Sequence, residues 1–167
     1  MQVLLRAKHW QIFLLLSIPL LCIFGLRSIL SPLHYGFMWL LLFAVELAWL
    51  FAIGSASNAR VPENLRRNQQ LFLLAPFVCI MLLGVVLAML YSAFQTQQPP
   101  PPWLIYLVFA ALAAFFYTLW FAASQFATAE KQDSAFYIEY AFPMLGLWFG
   151  VVGAWFLQPR VNRLLGE

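Results

Sequence analysis

Charge is what this sequence has least of. Asp, Glu, Lys and Arg make up 9% of its 167 residues, while hydrophobic residues make up 64%. A soluble domain is about 25% charged and about 45–50% apolar. The deficit excludes a water-facing surface over most of the chain, so most side chains must face lipid or each other. The charge present is also weakly biased, with nine Lys/Arg against six Asp/Glu and a net charge of +3. So scattered a positive charge excludes nucleic acid as a partner, because such binding needs a basic patch on one face. No HExxH, GxSxG, Walker loop or Cys–His arrangement is present, which removes the common catalytic readings. Cysteine is equally scarce. Cys22 and Cys79 both lie inside apolar runs, are too few for a disulfide framework, and read as small buried hydrophobes. His9 and His34 are isolated at the ends of apolar segments and make no metal site. No metal and no cofactor are expected.

What the chain does have is long apolar runs. A spanning helix needs about 20 mostly apolar residues, and five segments qualify: 10–30, 35–54, 71–94, 103–126 and 137–157. The fold class is therefore all-α, an integral membrane bundle of about five transmembrane helices forming a single domain over residues 1–167. The third and fourth segments are split by Gln95-Thr-Gln-Gln-Pro-Pro-Pro-Pro102, whose prolines lack amide protons and enforce a stiff turn. Ser55 to Gln70 is the longest polar connection and is expected to be a solvated loop. The N-terminal run lacks a small-x-small cleavage pattern and reads as an uncleaved first helix. Trp10, Trp39, Trp103 and Trp155 lie near segment ends, where indole rings anchor helices at the interface.

Counting Lys and Arg puts the N-terminus in the cytoplasm. With five spans, Arg6, Lys8, Arg60, Arg66, Arg67 and Lys131 lie inside, and Arg27, Arg160 and Arg163 lie outside. If the fifth segment only dips into the bilayer, both ends are cytoplasmic and the count becomes eight to one. Five spans are expected because the fifth segment is long enough and mostly apolar.

A few polar groups sit where lipid should be. Glu46 lies near the middle of the second segment. A charged carboxylate there costs roughly 2.5–3.5 kcal/mol on insertion scales, so it must be protonated, paired or facing an aqueous cavity. It is either a proton or cation site or a neutral hydrogen-bonding group between helices, and Arg27 is a candidate partner. Glu139 enters the fifth segment and shares a helical face with Pro143, Gly146, Gly150 and Gly153. That small-residue stripe lets another helix approach closely. Ala110, Ala114, Thr118 and Ala122 recur every four residues along the fourth segment. In a hairpin centred near Gln132, Gln125 lies level with Glu139 and Thr118 with Gly146. A close-packed pairing of the fourth and fifth segments is expected, with Gln125 and Glu139 hydrogen-bonded or nearly so. Pro19, Pro76 and Pro143 each remove an amide inside a span and favour kinks.

Several short motifs go together: the opening Lys8-His-Trp-Gln-Ile-Phe-Leu-Leu-Leu16, then Ile53-Gly-Ser-Ala-Ser-Asn58 and Val61-Pro-Glu63, and the closing Trp155-Phe-Leu-Gln-Pro-Arg-Val-Asn162. With them the chain resembles an uncharacterised family of small multi-span inner-membrane proteins of Bacteroidetes-type bacteria. That family often has a proline four residues before the closing tryptophan. Here Val151 stands there and Pro143 lies upstream, which moves the expected kink. The resemblance implies a bacterial inner-membrane location and adds no mechanism.

The leading functional expectation is a non-enzymatic, membrane-embedded subunit or partner-binding module. Its partners would be the lipid bilayer and another membrane protein or a second copy of the chain. The rival is a small proton- or cation-coupled transporter or channel using Glu46 and Glu139. A membrane enzyme ranks third, since it would need the acidic residues, His34 and Arg27 to converge on one cavity.

Overall fold

The computed structural model describes residues 8–26 and 29–165. Among the described residues there are six α-helices and no strand: α1 His9–Gly25, α2 Pro32–Arg60, α3 Gln70–Thr96, α4 Leu104–Lys131, α5 Tyr137–Trp148 and α6 Gly150–Leu165. Three of them, α2, α3 and α4, are long and apolar enough to cross a membrane. With α1 they form an antiparallel bundle joined by short connections.

The boundaries follow local chemistry. Pro32 occupies the first turn of α2, where its missing amide costs nothing, and Ser31 precedes it as the N-cap residue. Pro62 ends the same helix by disfavouring helical geometry in Val61, whose φ and ψ are −70° and 138°. α2 thus outruns the apolar segment 35–54 at both ends, and much of the expected Ser55–Gln70 loop is helix. Nor is that region fully solvated. Asn58 is buried, and its amide group donates to Arg67 O and accepts from Arg67 N, both at 3.2 Å, folding the connection back onto the helix. α3 and α4 each stop at a glutamine in the left-handed region, Gln97 (φ 55°) and Gln132 (φ 56°). The Gln132 side chain donates to Ala129 O and Arg60 O, tying the ends of α4 and α2 together.

α4 is the central helix, packing against α2, α3 and α5. Residues 121–129 are buried on every side. Phe121 stacks on Phe72 of α3 at 4.1 Å, and Phe72 stacks on Phe51 of α2 at 5.4 Å. The outer faces invert the pattern of a soluble protein. Leu14, Ile18, Leu21 and Phe24 of α1, with Leu71, Leu74, Phe77 and Met81 of α3, are all exposed. Apolar exposure this continuous is what a hydrocarbon surround accommodates and water does not.

The fifth apolar segment differs from expectation. It is not one spanning helix but two antiparallel ones. In a straight helix, residues 146 and 157 would lie about 16 Å apart. Instead a Cβ on Gly146 would stand 2.8 Å from Leu157 Cδ1, and one on Gly153 would stand 1.6 Å from the Gly146 carbonyl oxygen. The chain reverses at Phe149 (φ −85°, ψ 33°). Arg160 returns to the level of Glu130 near the end of α4 and lies 5.9 Å from the Phe142 ring. α5, with 12 residues, descends about 18 Å, roughly half the thickness of the bundle. The segment is a helical hairpin whose tip reaches the middle of the bundle.

This topology gathers the charges. Lys8, Arg60, Arg66, Arg67, Lys131, Arg160 and Arg163 all fall at one end of the bundle, together with Glu63, Glu130, Asp133 and Glu139. Among the described residues the opposite end, with the four-proline turn, carries no Asp, Glu, Lys or Arg.

Candidate functional site

Glu46 is the one described charge away from that end. It sits midway along α2, half-buried, and the tip of the hairpin lands on it. A Cβ on Gly150, the first residue of α6, would lie 3.2 Å from Glu46 Oε1 and 3.5 Å from Leu16 Cδ1 of α1. Glycine at this position lets the hairpin tip reach the carboxylate. Among the described residues, the Glu46 carboxylate makes no hydrogen bond and no ion pair.

Glu46 also lines a cavity of about 280 Å³, bounded by Phe43 of α2, Cys79 of α3, Ala111 and Phe115 of α4, and Trp148 at the hairpin tip. Its walls are otherwise apolar, and Glu46 is their only acidic or basic residue. The Cys79 thiol is already engaged, donating to Ala111 O at 3.4 Å. Three rings meet edge to face around the space: Phe43 and Phe115 at 6.1 Å and 89°, and Phe115 and Trp148 at 5.6 Å and 67°.

From Glu46 toward the charged end, polar contacts continue along the α2–α6 interface. Trp49 Nε1 donates to Gln158 Oε1 at 2.9 Å, both side chains buried, and Gln158 Nε2 donates to Asn162 Oδ1 at 3.0 Å. Ser57, Asn58, Ser124, Gln125 and Thr128 are buried in the same half. Toward the uncharged end, no described polar side chain is buried beyond Ser17 and Thr118. Polar character thus reaches Glu46 from one side.

The other residues singled out by sequence are dispersed. Glu139 is not inside the bundle. α5 begins at Tyr137, which puts Glu139 in the exposed first turn. There it accepts from Lys131 Nζ at 2.8 and 3.1 Å and from the Phe136 amide at 2.6 Å. The Lys131 hydrogen bond, then that of Phe136, hold its carboxyl below the usual glutamate range. Gln125 is buried, but its Oε1 has no partner, and the expected Gln125–Glu139 pairing is not formed. Thr118 is buried and donates to Ala114 O at 2.8 Å. Ala114 is half-buried, and Ala110 is exposed and takes no part in packing. Arg27 lies outside the described residues, as does Arg6.

The glycine stripe does permit close approach, but to different partners. Gly146 and Gly153 face each other across the hairpin, and Gly150 faces Glu46 and Leu16. α5 does pack on α4, in a register centred on Gln132. Trp148 and Phe116, equidistant from it in sequence, stack at 5.0 Å. Trp155, expected at a span end, lies midway along α6 with its ring against Phe13 of α1 at 5.4 Å. The Trp49–Gln158–Asn162 chain was missed by sequence reasoning. Its one signal was the spacing of Gln158 and Asn162, four apart and therefore on one helical face. No protein-family model matches the chain, and no curated protein and no solved structure matches it.

Proposed function

We propose that the chain is a non-enzymatic, membrane-embedded binding module. It is seated in a bacterial inner membrane, with the charged end and both termini on the cytoplasmic side. The collection of every described Lys and Arg at one end supports that orientation, because basic residues are retained in the cytoplasm. The motif resemblance from Trp155 to Asn162 supports the bacterial setting. The observation that carries the functional reading is the one-sided approach to Glu46. A conduit needs polar groups or water on both sides of its central site. Here buried polar side chains extend from Glu46 to the charged end alone, while the cavity on its other side is lined by apolar and aromatic side chains. A site with polar groups on one side alone receives a ligand or partner and does not pass it through.

One observation favours coupled transport as a second reading. Broken segments whose helix N-termini meet near the bilayer midplane are a recurrent construction of transporter sites, and the hairpin tip at Glu46 has that form. Vesicles reconstituted with the purified protein and loaded with a pH-sensitive dye separate the two. The binding module predicts proton and potassium fluxes equal to those of empty vesicles, for wild type and Glu46→Gln alike. A flux that Glu46→Gln abolishes would replace it with the transport reading.

A further inference from the structure

We infer that the Glu46 cavity is a binding site for a small, weakly hydrated organic cation of the quaternary-ammonium class. The inference rests on the binding-module reading and gives that site its ligand chemistry. The argument begins with the unpartnered carboxylate. Glu46 lines a space of about 280 Å³ whose remaining walls offer no second charge, so the occupant that completes the site is positive.

The rest of the lining then selects among cations. Magnesium and calcium need six or more oxygen ligands. One carboxylate stands here, and no group of three or more metal-binding side chains occurs among the described residues. An inorganic ion would have to surrender its water for nothing in return. An organic cation holds its water weakly and is stabilised by ring faces instead, as in the aromatic cages that take quaternary ammonium groups. Phe43, Phe115 and Trp148 line the cavity with three aromatic rings, set at 89° and 67° to one another. Depth excludes a lipid headgroup as the source, because Glu46 lies midway along α2, at the level of acyl chains.

The test uses the full chain in nanodiscs of phosphatidylethanolamine and phosphatidylglycerol, which contain no quaternary ammonium. Radiolabelled tetraethylammonium is the probe, and tetraethylmethane, its uncharged isostere, is the competitor. Saturable one-to-one binding is expected, weakened at least tenfold by Glu46→Gln, weakened severalfold by Trp148→Leu, and unaffected by tetraethylmethane. Equal binding in Glu46→Gln, competition by the hydrocarbon, or no saturable binding would each overturn the inference. Should Glu46→Gln fail to fold, judged by its elution and thermal transition, Trp148→Leu and Phe115→Leu carry the test, and unchanged affinity in both overturns it. Absence of tetraethylammonium binding removes the ligand assignment alone. Failure of the binding-module reading would show separately, as Glu46-dependent flux.

Discussion

Replacing Gly153 with alanine tests the architecture on which the site depends. The added Cβ would stand 1.6 Å from the Gly146 carbonyl oxygen and 2.4 Å from its carbonyl carbon. Carbon–oxygen contacts settle at about 3.3–3.6 Å, so α5 and α6 would have to separate by roughly 1.7–2.0 Å. The obstacle is main chain, and no rotamer change relieves it. Separation also draws Leu157, 1% exposed, away from Gly146, and pulls the hairpin tip off Glu46. Overpacking costs about 1–3 kcal/mol, and more where the backbone must move. The upper figure of about 3 kcal/mol corresponds to a fall of roughly 6–12 °C in Tm for a chain of this size. Thermal unfolding followed by a thiol-reactive dye reads this through Cys79, which is free and buried in the native bundle, with half-buried Cys22 replaced by serine. The sign of the effect is diagnostic. In one continuous spanning helix, Gly153→Ala would stabilise by about 0.5–1 kcal/mol through reduced backbone entropy in the unfolded chain. Gly84 of α3 has open space within 4 Å of its Cβ position, so Gly84→Ala should show that gain and serves as the control. A Gly153→Ala protein as stable as wild type would refute the hairpin.

The hairpin further requires that reporters fused to the N- and C-termini give the same compartment signal, whereas five spans would give opposite ones. Trp49→Phe removes the buried donor to Gln158 Oε1 and should cost about 1–3 kcal/mol, read as a lower Tm with the bundle otherwise intact. The Glu139 carboxyl is held below its ordinary value by Lys131 and the Phe136 amide, so its contribution is complete above the unfolded glutamate range and is lost as pH falls through the lowered value. The Tm advantage of wild type over Glu139→Gln should therefore be flat above about pH 5 and decline in acid below about 4.3; an advantage that grows on acidification would contradict the pairing.

The parts of this structure legible in the sequence are those fixed by local chemistry. Apolar length dictated α2, α3 and α4, and the proline run dictated the turn between α3 and α4, whereas the extension of α2 to Arg60 was not read because the stretch 55–70 is polar. The central position of Glu46 followed from counting residues along its segment. What was not legible is which surface each small residue approaches. Gly146, Gly150 and Gly153 announce close backbone contact in either topology, because a helix packed on α4 and a hairpin packed on itself need the same missing side chains. Apolar length does not separate the two either, since 137–157 is long enough to cross once or to enter and return. The reversal falls at Phe149, an ordinary apolar side chain, and its neighbour Gly150 belongs equally to the small-residue stripe of a continuous helix. Its consequences are not local. Folding back moves Arg160 from the far side of the bundle to Glu130. It leaves Glu139 in an exposed first turn instead of an interior face. It also brings the N-terminus of α6 to Glu46. Among the described residues, the reversal places Arg160 and Arg163 at the same end as Arg60, Arg66, Arg67 and Lys131, where a fifth span would have put them at the opposite end. The same reversal that pairs Arg160 with Glu130 brings Gly150 and Trp148 over the central carboxylate.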